Sequence, residues 1–179
     1  HGKLETDDMQ NMAMAYAVSK EKKREAITEM ITELCVSGVN TIVKSEERLQ
    51  QIRSLFDLDG ITVFSDRGSR LVCRNGNYMA EAPDGRPGFE DEKYLALFGE
   101  DGIFVESNML KLRSQNPAAF AVTQEQEIGA ALQCLSRKEG IPYTMVNFEV
   151  FNRNRKWSDE DVTLLTLLGH CIGDLLCRF

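Results

Sequence analysis

Histidine is nearly missing from this sequence. His1 and His170 are the only two, and the five cysteines (Cys35, Cys73, Cys134, Cys171 and Cys177) are scattered with no Cys-x-x-Cys pair. That scarcity excludes a zinc site of ordinary spacing. An odd number of dispersed cysteines also argues against a disulfide framework and for reduced thiols in the cytoplasm. Proline is sparse, and none falls between Met9 and Phe56, where Gly38 is the only glycine. No apolar run approaches the ~20 residues needed to cross a bilayer, and no secretion signal opens the chain, so a soluble domain is expected. Basic charge is short as well: 21 Lys and Arg stand against 28 Asp and Glu, a net charge of -7 that would repel a phosphate backbone. The one basic cluster, Lys20, Lys22, Lys23 and Arg24, is interrupted by Glu21 and Glu25 and reads as a solvated helix face. Neither nucleic acid nor a membrane is therefore an expected partner.

What is present is an ordinary globular balance. The 179 residues are 42% hydrophobic and 27% charged, enough for one sizeable core. His1-Gly2 resembles a purification-tag remnant and carries no functional argument. Residues 1–56 form a helical segment, with apolar residues at helical spacing in Ile27, Met30, Ile31, Leu34, Ile42 and Val43, then Leu49, Ile52, Leu55 and Phe56. One long helix and two helices broken between Gly38 and Ser45 both fit. A second unit, 57–179, opens with a change of period. Ile61 to Ser65 and Leu71 to Arg74 alternate as strands around the turn residues Asp66, Arg67, Gly68 and Ser69. Asn75-Gly76 marks a further turn, and 83–88 is a Gly/Pro-rich loop. A short helix is expected over 90–98, a strand over 103–106, a helical turn over 108–114, and strands over 129–135 and 144–151. Ser158 then caps a final helix, with Asp161 three residues on. Leu165, Leu168, Ile172, Leu175 and Phe179 repeat along it at coiled-coil spacing. Val162, Leu164, Leu167 and Cys171 give it a second apolar face. A monomeric surface helix needs only one such face, so Leu165, Leu168, Ile172 and Leu175 are expected at a homodimer interface.

The order helix, hairpin, loop-rich middle, hairpin, helix is α+β, with an antiparallel sheet. Residues 129–176 resemble the end of GAF domains. They give a strand, a turn at Gly140, a second apolar strand, and Arg155-Lys156-Trp157-Ser158 opening an amphipathic helix. The resemblance implies a GAF-like, PAS-related antiparallel sheet with the N- and C-terminal helices packed on one face. It also implies a ligand pocket on the other face, and a regulatory role for a diguanylate cyclase, histidine kinase or similar effector domain in the same parent chain. A structural dimerisation and relay module with no ligand is the alternative.

Enzymatic readings find little support. Some GAF relatives reduce methionine sulfoxide with activated thiolates, but Cys73 and Cys134 alternate with apolar residues and read as small buried hydrophobes. His170-Cys171 reverses the Cys-His order of bilin-attaching relatives and lies on the terminal helix. No Asn-Lys-Phe-Asp-Glu pattern of cyclic-nucleotide GAF domains occurs. The domain is accordingly expected to be non-catalytic and to need no cofactor.

Strand arithmetic places a candidate site. Successive strand residues face opposite ways, so Val146, Phe148 and Val150 go toward the terminal helices, while Met145, Asn147, Glu149 and Phe151 share the far face. Gln133 joins them from the neighbouring strand, opposite in sense to Leu132 and Cys134. Gln133, Asn147 and Glu149 would then meet a polar or cationic small molecule. Thr62, Tyr94 and Arg113 would reach in, and Phe104 and Phe120 would serve as apolar walls.

Overall fold

Two hydrophobic periods, one of 3.6 and one of 2, divide the chain into a helical layer and a sheet. The computed structural model describes residues 2–38, 46–65, 68–79 and 91–177. A long helix, α1 (Gly2–Ser37), ends where Gly38 takes a left-handed conformation and its N–H closes on Leu34 O, so the chain does break at Gly38. Helix α2 (Glu46–Leu55) leads into β1 (Gly60–Ser65), β2 (Gly68–Arg74) and β3 (Asn77–Met79). After α3 (Glu92–Leu95) and β4 (Ile103–Glu106) come a 3-10 turn (Met109–Lys111), α4 (Leu112–Gln115) and α5 (Pro117–Glu125). The hairpin of β5 (Ile128–Lys138) and β6 (Ile141–Phe151) precedes α6 (Asp159–Cys177). The sequence reading had no helix at 117–125, although its signal is there. Asn116 caps Ala119 N–H at 3.1 Å and Pro117 takes the first turn, where its missing donor costs nothing. The turn at Asp66-Arg67, the loop at 83–88, and Ile42, Val43, Ser45 and Phe179 lie outside the described residues.

The six strands among the described residues form one antiparallel sheet in the order β3-β2-β1-β6-β5-β4. On one face, Val146, Phe148, Val150, Leu132 and Cys134 pack with Ile27, Met30 and Leu34 of α1, Leu49 and Ile52 of α2, and the stripe of α6. The terminal helices thus share one face, as the α+β reading expects. On the other face Met145, Phe64, Ala131 and Leu135 pack beneath Tyr94, Phe98, Met109, Leu112 and Ala119.

The stripe assigned to a dimer is the chief correction. Leu165, Leu168 and Ile172 are 0% exposed within the single chain, against its own sheet, and Leu175 packs partly buried beside them. Two glycines explain why. Gly169 and Gly173 lie on this same face, and an added Cβ would stand 2.7 Å from Cys134 Sγ or 2.3 Å from Ser136 Oγ. The helix is seated too closely on β5 for a partner to intervene. The second apolar face is covered in part: Val162, Leu164 and Cys171 pack, partly buried, against the same core that α1 completes, whereas Leu167 stays 57% exposed. The helix that the second face needed is in the same chain. Gly169→Ala should therefore cost about 1–3 kcal/mol through overpacking, and Cys134→Ala should recover most of that loss by vacating the contact. Denaturant melts of the single and double variants check this. Equal losses in both would place the strain elsewhere.

The basic cluster of α1 is not simply solvated. Lys20 and Arg24 reach Glu160 at 3.4 and 2.8 Å, and Lys23 reaches Asp161 at 2.9 Å, tying α1 to the first turn of α6. Residues 5–18 of α1, by contrast, are exposed throughout.

Candidate functional site

Antiparallel register gathers the polar positions of the second face. Gln133 pairs with Asn147, and Asn147 with Thr62, making a row across three strands with Phe104 of β4 next to Gln133. Two residues along β6, Glu149 stands opposite Gly60 on one side and Ala131 on the other. An alternating strand often leaves one face to water, but this face is covered. Gln133, Asn147, Thr62 and Glu149 are 3%, 3%, 1% and 0% exposed. The face assignment read from alternation is the observed one.

Tyr94 closes one end of the row. Asp91 caps α3 by accepting from the Lys93 and Tyr94 N–H groups at 2.9 and 3.2 Å, which fixes the helix over the sheet. The Tyr94 hydroxyl donates to Gln133 Oε1, and burial raises its pKa above the ordinary phenol value. Its ring meets Phe98 edge-on at 5.7 Å, and Phe98 in turn meets Phe104. Phe104 and the half-buried Phe120 belong to the same apolar cluster. Arg113 does not join the cluster. It is exposed on α4, where Leu112 is the residue that turns inward.

At the other end lies a set of polar atoms without hydrogen bonds. Both Glu149 carboxylate oxygens, Asn147 Oδ1 and Thr62 Oγ1 are buried and make no hydrogen bond. Thr62 lies near enough to Glu149 to favour its charged form, but the pair falls short of hydrogen-bond geometry. Burial dominates and pushes the Glu149 carboxyl up to about 7, with Arg74 and Thr62 pulling against it. Polar groups orphaned in this way cost free energy until a partner meets them.

Two residues of this patch were not read from the sequence, Arg74 and Gly60. Arg74 faces Gly60 in the β1–β2 register, and Gly60 faces Glu149 across β1–β6. With no side chain at Gly60, the strands on either side look at each other across it. A Cβ there would stand 2.9 Å from Glu149 Oε2 and 3.4 Å from Arg74 Cγ. Arg74 Nη2 lies 3.8 Å from Glu149 Oε2, an ion pair without a hydrogen bond, and its guanidinium sits 5.1 Å above the Phe151 ring. The signal in the sequence was the alternation of β2, which puts Arg74 on the face opposite Leu71 and Cys73.

None of the five cysteines lies in the patch. Cys73 and Cys134 belong to the helix-side core, and burial pushes their thiols up to about 11 and about 12. A thiol so raised is not a nucleophile near neutral pH. His170, half-buried, lines an open cleft on α6 with Asp101, Ser136 and Asp174, away from the patch. Among the described residues no cluster of His, Cys, Asp and Glu has the makings of a metal site, and no helix is long and apolar enough to cross a membrane.

No protein-family model matches the sequence, and no curated protein matches it. Solved structures do. The phycocyanobilin-bound GAF domain of a cyanobacterial phytochrome superposes with a TM-score of 0.64 at 7% identity, over 87% of this chain and 94% of that one. The fold is that of a GAF domain. The chromophore-binding domain of the Stigmatella aurantiaca bacteriophytochrome gives a TM-score of 0.65 at 13% identity, over 89% of this chain. A red/green cyanobacteriochrome in its green-light-absorbing state gives 0.56 at 18% identity, over 78% of this chain and 94% of that one. This chain spans 61% of the bacteriophytochrome domain and 36% of the same organism's photosensory core module.

Proposed function

We propose that this GAF-fold domain is a non-catalytic sensor that binds a small molecule on the sheet face away from its terminal helices. Its signal would pass through those helices to an effector domain of the same parent chain, such as a diguanylate cyclase or histidine kinase. The observation that carries the reading is the set of buried polar groups left without hydrogen bonds: Glu149, Asn147 and Thr62. A purely structural module gains nothing from leaving them unpaired, whereas a binding site gains specificity from them. Bilins occupy GAF domains of this fold, but here no cysteine faces the patch, which favours a ligand held without a covalent bond. Free thiols at Cys35, Cys73 and Cys134 fit a reducing, cytoplasmic setting. Homodimerisation would have to use surfaces other than Leu165, Leu168 and Ile172, and the exposed outer half of α1 is the place for it.

Metabolite screening by thermal shift tests the reading, because a compound that binds only the native state raises its melting temperature. A genuine hit should bind Asn147→Leu about tenfold or more weakly, since that variant removes one orphan acceptor and keeps the side-chain volume. Unchanged affinity would remove this face from the site.

A further inference from the structure

Resting on the sensory reading above, we infer that the ligand is a small organic cation rich in N–H donors, of the guanidinium or amidinium class, and that Arg74 stands in for it in the free protein. The atoms left unpaired on this face decide its polarity. Three of them, the two oxygens of ionised Glu149 and Asn147 Oδ1, can only accept hydrogen bonds, Thr62 Oγ1 can accept or donate, and all belong to residues at least 97% buried. An anion would be repelled by ionised Glu149, and neither it nor a carbonyl-rich ligand would supply a donor to Asn147 Oδ1. A planar cation with several N–H groups meets a carboxylate in a fork and still has donors for the neighbouring amide and hydroxyl oxygens.

The chain supplies a partial version of that cation. Arg74 brings its guanidinium across the gap at Gly60, yet stops 3.8 Å from Glu149 Oε2, and its Nε is itself buried without a partner. Its stem starts on β2, two strands away from Glu149 with only Gly60 between, so the fork cannot be presented squarely. The Phe151 ring beneath it offers a second surface that a flat cation would use equally well. Arg74 side-chain exposure of 35% leaves it a way out toward solvent. Displacement would be felt in the helical layer, because Gln50 of α2 donates to the Arg74 backbone carbonyl at 3.1 Å.

Chemical rescue tests this with the protein in hand. Arg74→Met keeps the apolar stem and removes the charge. Its melting temperature should rise by about 2–4 °C in millimolar methylguanidinium chloride, measured against sodium chloride of equal ionic strength. Wild type should respond less, because Arg74 competes. Arg74→Met combined with Glu149→Gln should not respond, and tetramethylammonium, a cation with no N–H, should not replace methylguanidinium. Arg74→Gln serves in the same arms should the methionine variant fail to fold. Equal responses with and without Glu149, or to tetramethylammonium, would overturn the assignment. So would silence of the Arg74 variants while a neutral metabolite still stabilises wild type, an outcome that leaves the sensory reading standing. If no compound of any charge binds this face, both readings fall.

Discussion

Glu149→Gln is expected to make the protein more stable above neutral pH. The folded-state carboxyl is raised from 4.5 to about 7, chiefly by burial, so between those values the native protein holds a proton that the unfolded chain has released. Stability must fall as pH rises through that window, and the loss is complete above the folded pKa. The full shift corresponds to about 3 kcal/mol, or roughly 6–12 °C in melting temperature for a chain of this size. The glutamine variant has no proton to lose there. Its advantage over wild type should be negligible near pH 4, grow across the window and level off near pH 8. Arg74 and Tyr94 are the other titratable groups facing Glu149, and Tyr94, raised by burial, keeps its proton throughout that range. Paired melts across pH check the slope. A difference between the two proteins that does not change with pH would mean that Glu149 carries a firm partner already. A bound cation should flatten the wild-type curve, because it supplies the partner that burial withholds.

The second large effect belongs to Arg155. Its guanidinium donates to the carbonyls of Phe56 and Asp57 at the end of α2 and to Asp161 Oδ2 at 3.0 Å, and stacks 4.4 Å from the Trp157 ring. Trp157 in turn donates to Glu106 O at 3.1 Å. One side chain therefore joins the end of α2, the start of α6 and the rim of β4. With Arg155 and Asp161 only 11% and 9% exposed, removing the arginine takes the side-chain donor from Phe56 O and one of two from Asp57 O, which Arg153 still reaches, and leaves the Asp161 carboxylate to Lys23. Arg155→Met should cost about 2–4 kcal/mol, less than a bare buried pair because Lys23 still holds Asp161. Arg155→Lys should recover little of this, since one ammonium cannot replace a planar fork. A loss below about 1 kcal/mol in denaturant titration would show that the three elements hold together without it.

Local chemistry was legible wherever one period or one cap decided it. The alternation Met145, Asn147, Glu149 against Val146, Phe148, Val150 placed the polar patch on the correct face, because strand side chains can only alternate. The cap at Ser158 was equally local, whereas the sequence left open whether the helix broke at Gly38. Arg113 was misjudged because sequence distance says nothing about which way a short helix turns. Leu112 took the buried position, and its neighbour was left in solvent.

The sequence by itself determined the two layers, the α+β order and the face on which each polar strand residue lies, since these follow from periodicity. Tertiary structure alone decided what each face meets. The stripe Leu165, Leu168, Ile172 reads identically whether it packs on another helix or on a sheet. Only the close seating at Gly169 and Gly173 assigns it to the sheet. The meeting of Arg74 with Glu149 over Gly60 was likewise invisible, because it depends on two strand registers at once. Register is set by which strands pair, and pairing between residues 60, 74 and 149 is a property of the folded chain.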